Sequence, residues 1–171
     1  MSPEKDGVSG VNELLAKISS YNIFNYLVPG ALFVIAAKRL AMVDIDNPDL
    51  ATKLLTYYIV GLIISRVGSL VIEPLMKRTK AVRYAPYQDY VLASQKDFKI
   101  EVLVEVSNTY RTLAAVFLIL LGGLFVTERD WSLARPWVVA GALLLLAAMF
   151  LGSFAKQASY IRRRVEAFAN G

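Results

Sequence analysis

Four apolar stretches, each 16–19 residues long, divide this 171-residue chain. They cover residues 21–37, 54–72, 112–127 and 137–155. A hydrocarbon core about 30 Å thick requires roughly 20 mostly apolar residues in a helix, and soluble domains rarely collect their apolar residues into a few long runs. The pattern therefore predicts an all-α fold, a four-helix transmembrane bundle with one helix for each apolar stretch.

The residue types that are missing limit the chemistry of the chain. It contains no Cys and no His, so it offers no thiol nucleophile, no imidazole base and none of the usual nitrogen or sulfur ligands of zinc. We therefore expect no enzyme activity, no cofactor and no metal site. The net charge of +5 is more typical of the cytoplasmic side of a membrane protein than of nucleic-acid binding, and no nucleic acid is expected as a partner.

The apolar stretches divide the chain into three regions. Residues 1–20 are predicted to form a tail with a short amphipathic helix from Val11 to Ser20, which lies in the membrane interface or simply leads into the first span. Residues 21–155 are the four-span membrane domain. Residues 73–111, between the second and third spans, form a cytoplasmic helical arm, and residues 156–171 form a basic C-terminal tail.

The distribution of Lys and Arg predicts the orientation. The N-terminus, the arm and the C-terminal tail together hold 13 of the 19 Lys and Arg residues, and the opposite loops hold five. The positive-inside rule then places both termini and the arm in the cytoplasm. Lys38 and Arg39, at the outer end of the first span, are the exception.

The first span contains Pro29-Gly30. Proline removes a backbone donor and glycine loosens the turn, so we expect a kink or a break there. This dipeptide is the predicted hinge of the bundle.

The second span contains the only charged residue within any of the four stretches, Arg66. A charge inside a membrane either pairs or snorkels to the interface, or it serves a pore, a ligand or a gate. Glu73 lies seven residues further on, on nearly the same helix face but about 10 Å along the axis. We interpret Glu73 as its partner and expect the two residues to couple the arm to the bundle.

Small residues at four-residue spacing indicate close helix packing. In the second and fourth spans they are Gly61, Ser65, Ser69, Ala148 and Gly152. Packing within one chain and a seam between copies of the chain both fit this pattern.

The arm carries a motif of three tyrosines around a proline, Arg83-Tyr84-Ala85-Pro86-Tyr87-Gln88-Asp89-Tyr90. With the neighbouring basic residues, Arg83, Tyr84, Tyr87 and Tyr90 could grip a nucleotide. Contact with the lipid surface is the interpretation we favour.

The end of the arm combines acidic spacing with an ambiguous periodicity. Asp97, Glu101 and Glu105 form a stripe on a helix, which favours a solvated face over a cation site. Residues 98–106 alternate in a way that also fits a strand. We predict a helix that continues into the third span, because a lone strand has no evident partner.

Three segments carry a resemblance to a family. They are 21–30 (YNIFNYLVPG), 64–74 (ISRVGSLVIEP) and 84–90 (YAPYQDY), continuing to 108–112 (NTYRT). Together they resemble a family of small bacterial inner-membrane proteins of unassigned function, over about residues 15 to 127. The resemblance implies a bacterial inner (plasma) membrane location and supplies no catalytic or ligand motif. The architecture alone also resembles membrane effectors of bacterial defence systems, which permeabilise the membrane when triggered.

The function expected from these features is that of a non-enzymatic membrane protein that self-associates and responds to a signal received by the arm. Its expected partners are the lipid bilayer and either a second copy of the chain or another membrane protein. The alternatives are a small transporter or channel subunit that uses Arg66 to bind an anion, and an accessory subunit of a larger membrane complex. A lipid-modifying enzyme, acting through Glu73, Asp89 or Asp97, is less favoured.

Overall fold

The structure of the chain, a computed structural model, describes residues 23–42, 49–128 and 134–169. In these ranges all regular structure is helical, which confirms the predicted all-α class. The predicted amphipathic helix Val11–Ser20 lies outside the described residues. The helices are α1 over 23–39, α2 Leu50–Val67, α3 Glu73–Arg78, α4 Tyr87–Lys96, α5 Lys99–Thr127 and α6 Ala134–Ala169, with a π-helical segment, Gly68–Ile72, joining α2 to α3.

Three of the described helical stretches are long and apolar enough to cross a membrane: Leu50–Arg78, Lys99–Thr127 and Ala134–Ala169. Within the most apolar part of each, only 22 %, 39 % and 22 % of the residues are buried inside the chain. Large apolar side chains on each of these helices are exposed, among them Leu70, Val126 and Leu145, and such exposed apolar surface requires lipid or a protein partner. The described part of α1 has 17 residues, about 26 Å at 1.5 Å per residue, and is not among these three.

A π-helical turn sets the direction of the chain between α2 and α3. α2 begins at the N-cap Asp49, whose carboxylate accepts a hydrogen bond from the Thr52 N–H at 2.9 Å. At the other end the Glu73 N–H donates to the carbonyl of Gly68, five residues back. Pro74 follows and has no N–H to donate. The π-helical turn therefore lies where the series of α-helical hydrogen bonds is already interrupted. The extra residue in the turn rotates Glu73 relative to α2.

α5 and α6 form the main antiparallel pair. The rings of Phe117 and Phe150 stack at 5.6 Å in the middle part of the two helices, and Asp97, just before α5, meets Arg164 near the end of α6. Their contact forms the largest core cluster, which also receives Ala37 from α1 and Ile64 from α2. The apolar half of the molecule is thus built around α5.

The second half of α6 is part of the fold and not a tail. The helix continues to Ala169, and Ala158, Ile161 and Val165 are buried. Ile161 and Val165 pack with Ala93 of α4 and Ile100 of α5. The prediction of a C-terminal tail over 156–171 was therefore wrong for the described residues, because three buried residues at helical spacing extend the fourth helix beyond its apolar stretch.

Residues 99–106 are helical, which confirms the helix prediction and excludes the strand alternative there. α5 runs without a break from Lys99 to Thr127. Ile100 is fully buried against α4 and α6. Because the segment is helical, one of its faces packs against both α4 and α6. The alternation of apolar and charged residues did not indicate this packing.

α1 and α2 cross at a pair of glycines. A Cβ atom added to Gly30 would lie 1.8 Å from the carbonyl oxygen of Tyr57, and one added to Gly61 would lie 1.8 Å from that of Tyr26. The backbones therefore touch directly. The helix is continuous through Pro29 and Gly30, which are both buried, so the break considered at this dipeptide is not present. The dipeptide serves as a packing surface in this arrangement.

Candidate functional site: the junction of arm and apolar helices

An ion pair joins α3 to α5 where the arm meets the apolar helices. A guanidinium N–H of Arg111 donates to Oε2 of Glu73, and Lys77 Nζ lies 2.8 Å from Oε1 of the same carboxylate. The side chains of Arg111 and Glu73 are only 11 % and 18 % exposed. One carboxylate thus serves two cations in a largely desolvated position, where such hydrogen bonds are strong.

The pairing of Glu73 with Arg66 that the sequence indicated does not form. Glu73 is engaged by Arg111 and Lys77, and Arg66 makes no ion pair with any described residue. The reason is local: the π-helical turn lies between the two residues and changes the face on which Glu73 projects. The true partner comes from α5, 38 residues away in the chain.

Tyr84 closes the junction from the connection between α3 and α4. Lys77 Nζ lies 4.6 Å from the centre of the Tyr84 ring, within the range of a cation–π contact. Burial raises the pKa of the Tyr84 hydroxyl, and the nearby negative charge of Glu73 raises it further. The hydroxyl therefore remains protonated at physiological pH and can donate a hydrogen bond to the Glu73 carboxylate.

A cavity of about 420 Å³ opens beside this ion pair. That volume lies within the range of small-molecule sites. Its lining combines tyrosine rings, cationic groups, two neutral polar side chains and an apolar floor. The lining residues are Glu73, Lys77, Tyr84, Ala85, Tyr87, Tyr90, Val104, Ser107, Asn108, Arg111, Ile161, Arg162 and Val165.

The structure brings three of the four motif residues from the arm into this cavity. Tyr84, Tyr87 and Tyr90 line it, and Arg83 is exposed and does not. Tyr87 begins α4, so its ring stands at the mouth of the cavity with 78 % of the residue exposed. Arg83 does not reach the cavity, but Arg162 of α6 contributes a guanidinium group to its lining.

The acidic residues at the end of the arm have separate partners. Asp97 accepts a hydrogen bond from Arg164 Nε at 2.5 Å, and this bond holds the pKa of Asp97 below its usual value. Glu105 accepts one from Asn25 Nδ2 at 2.7 Å. Only Glu101 is exposed. The prediction of one solvated acidic face was therefore wrong for Asp97 and Glu105, which fasten the arm to α6 and to α1.

Asn25 is a functional candidate that the sequence analysis did not select. Its amide nitrogen donates to Glu105, and its amide oxygen accepts from the Thr109 hydroxyl at 2.5 Å. This network connects α1 to the part of α5 that lies next to the ion pair. Glu105 and Thr109 lie four residues apart and so share one face of α5. This pair of polar residues is the sequence signal that could have indicated a polar partner such as Asn25.

A second, smaller cavity contains Arg66. It has a volume of about 140 Å³ and is lined mainly by polar side chains from α1, α2, the π-helical segment and α5: Asn25, Tyr26, Ser65, Arg66, Ser69, Glu105, Asn108, Arg111 and Thr112. Arg66 itself is exposed. The Nε of Arg111 is buried and has no hydrogen-bond partner among the described residues. Arg111 lines both this cavity and the larger one.

The predicted packing residues separate into two groups. Gly61 and Ser65 are buried against neighbouring helices, and the Ser69 hydroxyl donates to the Arg66 carbonyl at 3.0 Å. Ala148 and Gly152 are exposed, and no described atom lies within 4 Å of a Cβ added at Gly152. Packing within the chain thus accounts for the contact at Gly61.

Comparison with protein-family models, curated proteins and solved structures finds no significant match to this chain. In the described ranges no group of three or more acidic side chains is arranged to hold a metal ion. The junction of the arm with the apolar helices is therefore the feature from which a function is inferred.

Proposed function

We propose that this chain is a non-enzymatic, four-span membrane protein of the bacterial inner membrane, with α1 as the first span and a cytoplasmic arm. Three helices of membrane-spanning length and composition support the proposal. So does the crossing of α1 with α2, in which the two backbones touch at Gly30 and Gly61. The positive-inside distribution of Lys and Arg supports the orientation.

The arm is a receiver, and the junction transmits its state to the spans. The observation that carries this proposal is the Glu73–Arg111 ion pair. It joins the end of one candidate span to the start of the apolar part of another, and both partners form part of the wall of the larger cavity. A ligand or partner that enters this cavity therefore acts on the ion pair that links α3 to α5. The expected consequence is a change in packing or permeability of a self-associated bundle.

The orientation is tested by single cysteines, since the chain has none of its own. We expect a Leu50→Cys variant to react with a membrane-impermeant maleimide in intact cells, because Leu50 starts α2 after the first outer loop. An Arg83→Cys variant should react only after the membrane is permeabilised. Both residues are exposed, so burial does not explain a difference in labelling. Labelling of both residues in intact cells contradicts the cytoplasmic arm.

The effector role is tested by two measurements on the purified protein. We expect its mass in detergent or nanodiscs to be that of a defined oligomer, and we expect the reconstituted protein to release a dye from liposomes. Ala148→Leu and Gly152→Leu, on the exposed face of α6, should shift the mass towards the monomer. Met149→Ala, at an exposed position about 100° around the helix from Ala148, is the control. A tight monomer would favour an accessory subunit that awaits a different partner.

A second candidate function is an anion channel or transporter subunit. The observation in its favour is that Arg66 and Arg111 line the same small polar cavity, together with a single carboxylate, Glu105. Anion flux in liposomes that needs Arg66 and no cytoplasmic trigger would favour this candidate over the effector. Flux that is equal in wild type and Arg66→Leu would exclude it.

A further inference from the structure

The larger cavity has an excess of positive charge. Three cationic side chains line it, Lys77, Arg111 and Arg162, against the single carboxylate of Glu73. The formal charge of the lining is therefore +2. Arg162 also pairs with Glu166 at 2.6 Å, but both side chains are 37 % exposed, so solvent weakens that pair and leaves the guanidinium able to turn to another anion.

The neutral part of the lining favours an organic anion over a bare ion. Tyr84, Tyr87 and Tyr90 contribute rings and hydroxyl groups, and Ala85 and Val104 contribute apolar surface. Ser107 and Asn108 add hydrogen-bonding groups. Basic groups beside tyrosines and an apolar wall match a phosphate group attached to a carbon skeleton.

The position of the cavity indicates how such a ligand arrives. Glu73 and Lys77 lie at the end of the apolar helix Leu50–Arg78, and Arg111 lies at the start of the uncharged stretch of α5. These residues therefore stand where an apolar segment gives way to charged groups, which is the level of lipid headgroups when the helices span a bilayer.

We propose that the larger cavity binds a phosphate monoester, presented as the headgroup of an anionic membrane lipid. A monoester carries about −1.5 to −2 charges at neutral pH, close to the excess charge of the lining. A phosphodiester headgroup carries one charge and matches it less well. This inference rests on the proposed function in one respect, that the cavity at the junction is the receiving site.

The test is native mass spectrometry of the full chain in neutral detergent with added short-chain lipids. The probes are dioctanoyl phosphatidic acid, which is a monoester, and dioctanoyl phosphatidylglycerol, which is a diester. Glycerol phosphate is the soluble monoester. We expect phosphatidic acid to bind with about tenfold higher affinity than phosphatidylglycerol, and Arg162→Gln to lower its affinity about tenfold.

The neighbouring basic residues provide matched controls. Arg163 is exposed and does not line the cavity, so Arg163→Gln removes the same charge from the same helix and should leave the affinity unchanged. A second pair comes from α3: Lys77→Gln should lower the affinity for phosphatidic acid, and Arg78→Gln, which does not line the cavity, should leave it unchanged. This pair keeps the test valid if Arg162→Gln does not fold. Equal losses in the two members of each pair, or equal binding of the two lipids, would overturn the proposal.

The remaining outcomes separate the source of the phosphate from the function. If glycerol phosphate binds as tightly as phosphatidic acid, the ligand is a soluble monoester. That result would contradict the proposal that a lipid headgroup supplies the phosphate. Binding of phosphatidic acid that depends on Arg162, without any change in dye release, would support the site and contradict the proposed signalling role. Dye release that persists in Arg162→Gln without bound lipid would contradict the cavity as receiver.

Discussion

Replacing Gly61 by alanine should strongly destabilise the chain. Among the glycines of the described helices, only Gly30 should show a comparable loss when a methyl group is added. The new Cβ would lie 1.8 Å from the Tyr26 carbonyl oxygen, far inside contact distance, and the obstacle is backbone that cannot rotate away. Overpacking costs about 1–3 kcal/mol and sometimes more. We expect at least about 3 kcal/mol here, since one helix must move as a whole. Thermal unfolding in detergent, followed by circular dichroism, measures the loss.

Gly122→Ala is the matched control for this substitution. It adds the same methyl group to a helix, but apart from the backbone of that helix turn no described atom lies within 4 Å of the new Cβ. Alanine is the better helix former by roughly 1 kcal/mol, so the control should be neutral or slightly stabilising. Gly30→Ala should reproduce the loss seen in Gly61→Ala, because it strikes the Tyr57 carbonyl in the same crossing. Equal unfolding temperatures for Gly61→Ala and Gly122→Ala would show that α1 and α2 do not cross as described.

Replacing Glu73 by glutamine should loosen the arm from the apolar helices. The change keeps the shape of the side chain but leaves the guanidinium of Arg111, 11 % exposed, without its counter-charge. Breaking a buried ion pair in this way costs about 3–5 kcal/mol, and the partial exposure of this pair places it at the lower end. Hydrogen exchange should therefore rise in α3 and in the segment of α5 around Arg111, and the unfolding temperature should fall.

The partners of Glu73 make the expected effects unequal. Arg111→Gln leaves Glu73 paired with Lys77, so its cost should be smaller than that of Glu73→Gln. Lys77→Gln removes a side chain that is 48 % exposed, and pairs of that exposure contribute about 0–1 kcal/mol. The predicted order of destabilisation is Glu73→Gln, then Arg111→Gln, then Lys77→Gln. A larger effect for Lys77→Gln than for Glu73→Gln would contradict the assignment of Arg111 as the principal partner.

The helical class and three membrane-length helices could be predicted from the sequence because apolar length is a direct physical requirement of the bilayer. The ends of the helices could not be predicted in this way. α5 and α6 extend into polar sequence, where Ile100, Ile161 and Val165 are buried among charged neighbours. Their spacing is helical, but it becomes informative only when the packing partners are known.

The partner of Glu73 could not be predicted from spacing on one helix. That prediction assumed 3.6 residues per turn between Arg66 and Glu73, and the π-helical segment Gly68–Ile72 changes the register. Pro74 was the available signal, since a proline in an apolar helix marks a place where the regular ladder is interrupted. The correct partner, Arg111, depends on the packing of the π-helical segment Gly68–Ile72 against α5, which is a tertiary property.

The roles of the prolines, glycines and tyrosines were only partly predictable. Pro29-Gly30 suggested a flexible point, but in the folded chain the glycine allows α2 to approach. The three tyrosines of the arm motif, Tyr84, Tyr87 and Tyr90, lie together at one cavity. Arg162 was missed because a run of three arginines at the end of a chain is typical of a solvated tail.

The most direct test of the central claim measures whether the arm communicates with the apolar helices through Glu73 and Arg111. Val165 is fully buried in the cluster that it forms with Ala93, Ile100 and Ile161 of α4, α5 and α6. Val165→Ala therefore opens a small void there without touching the π-helical segment Gly68–Ile72. We predict that it raises hydrogen exchange at Gly68–Ile72 in the wild-type background and has no such effect in Glu73→Gln/Arg111→Gln, where the ion pair is absent. The same rise in both backgrounds, or no rise in either, would contradict coupling through this ion pair.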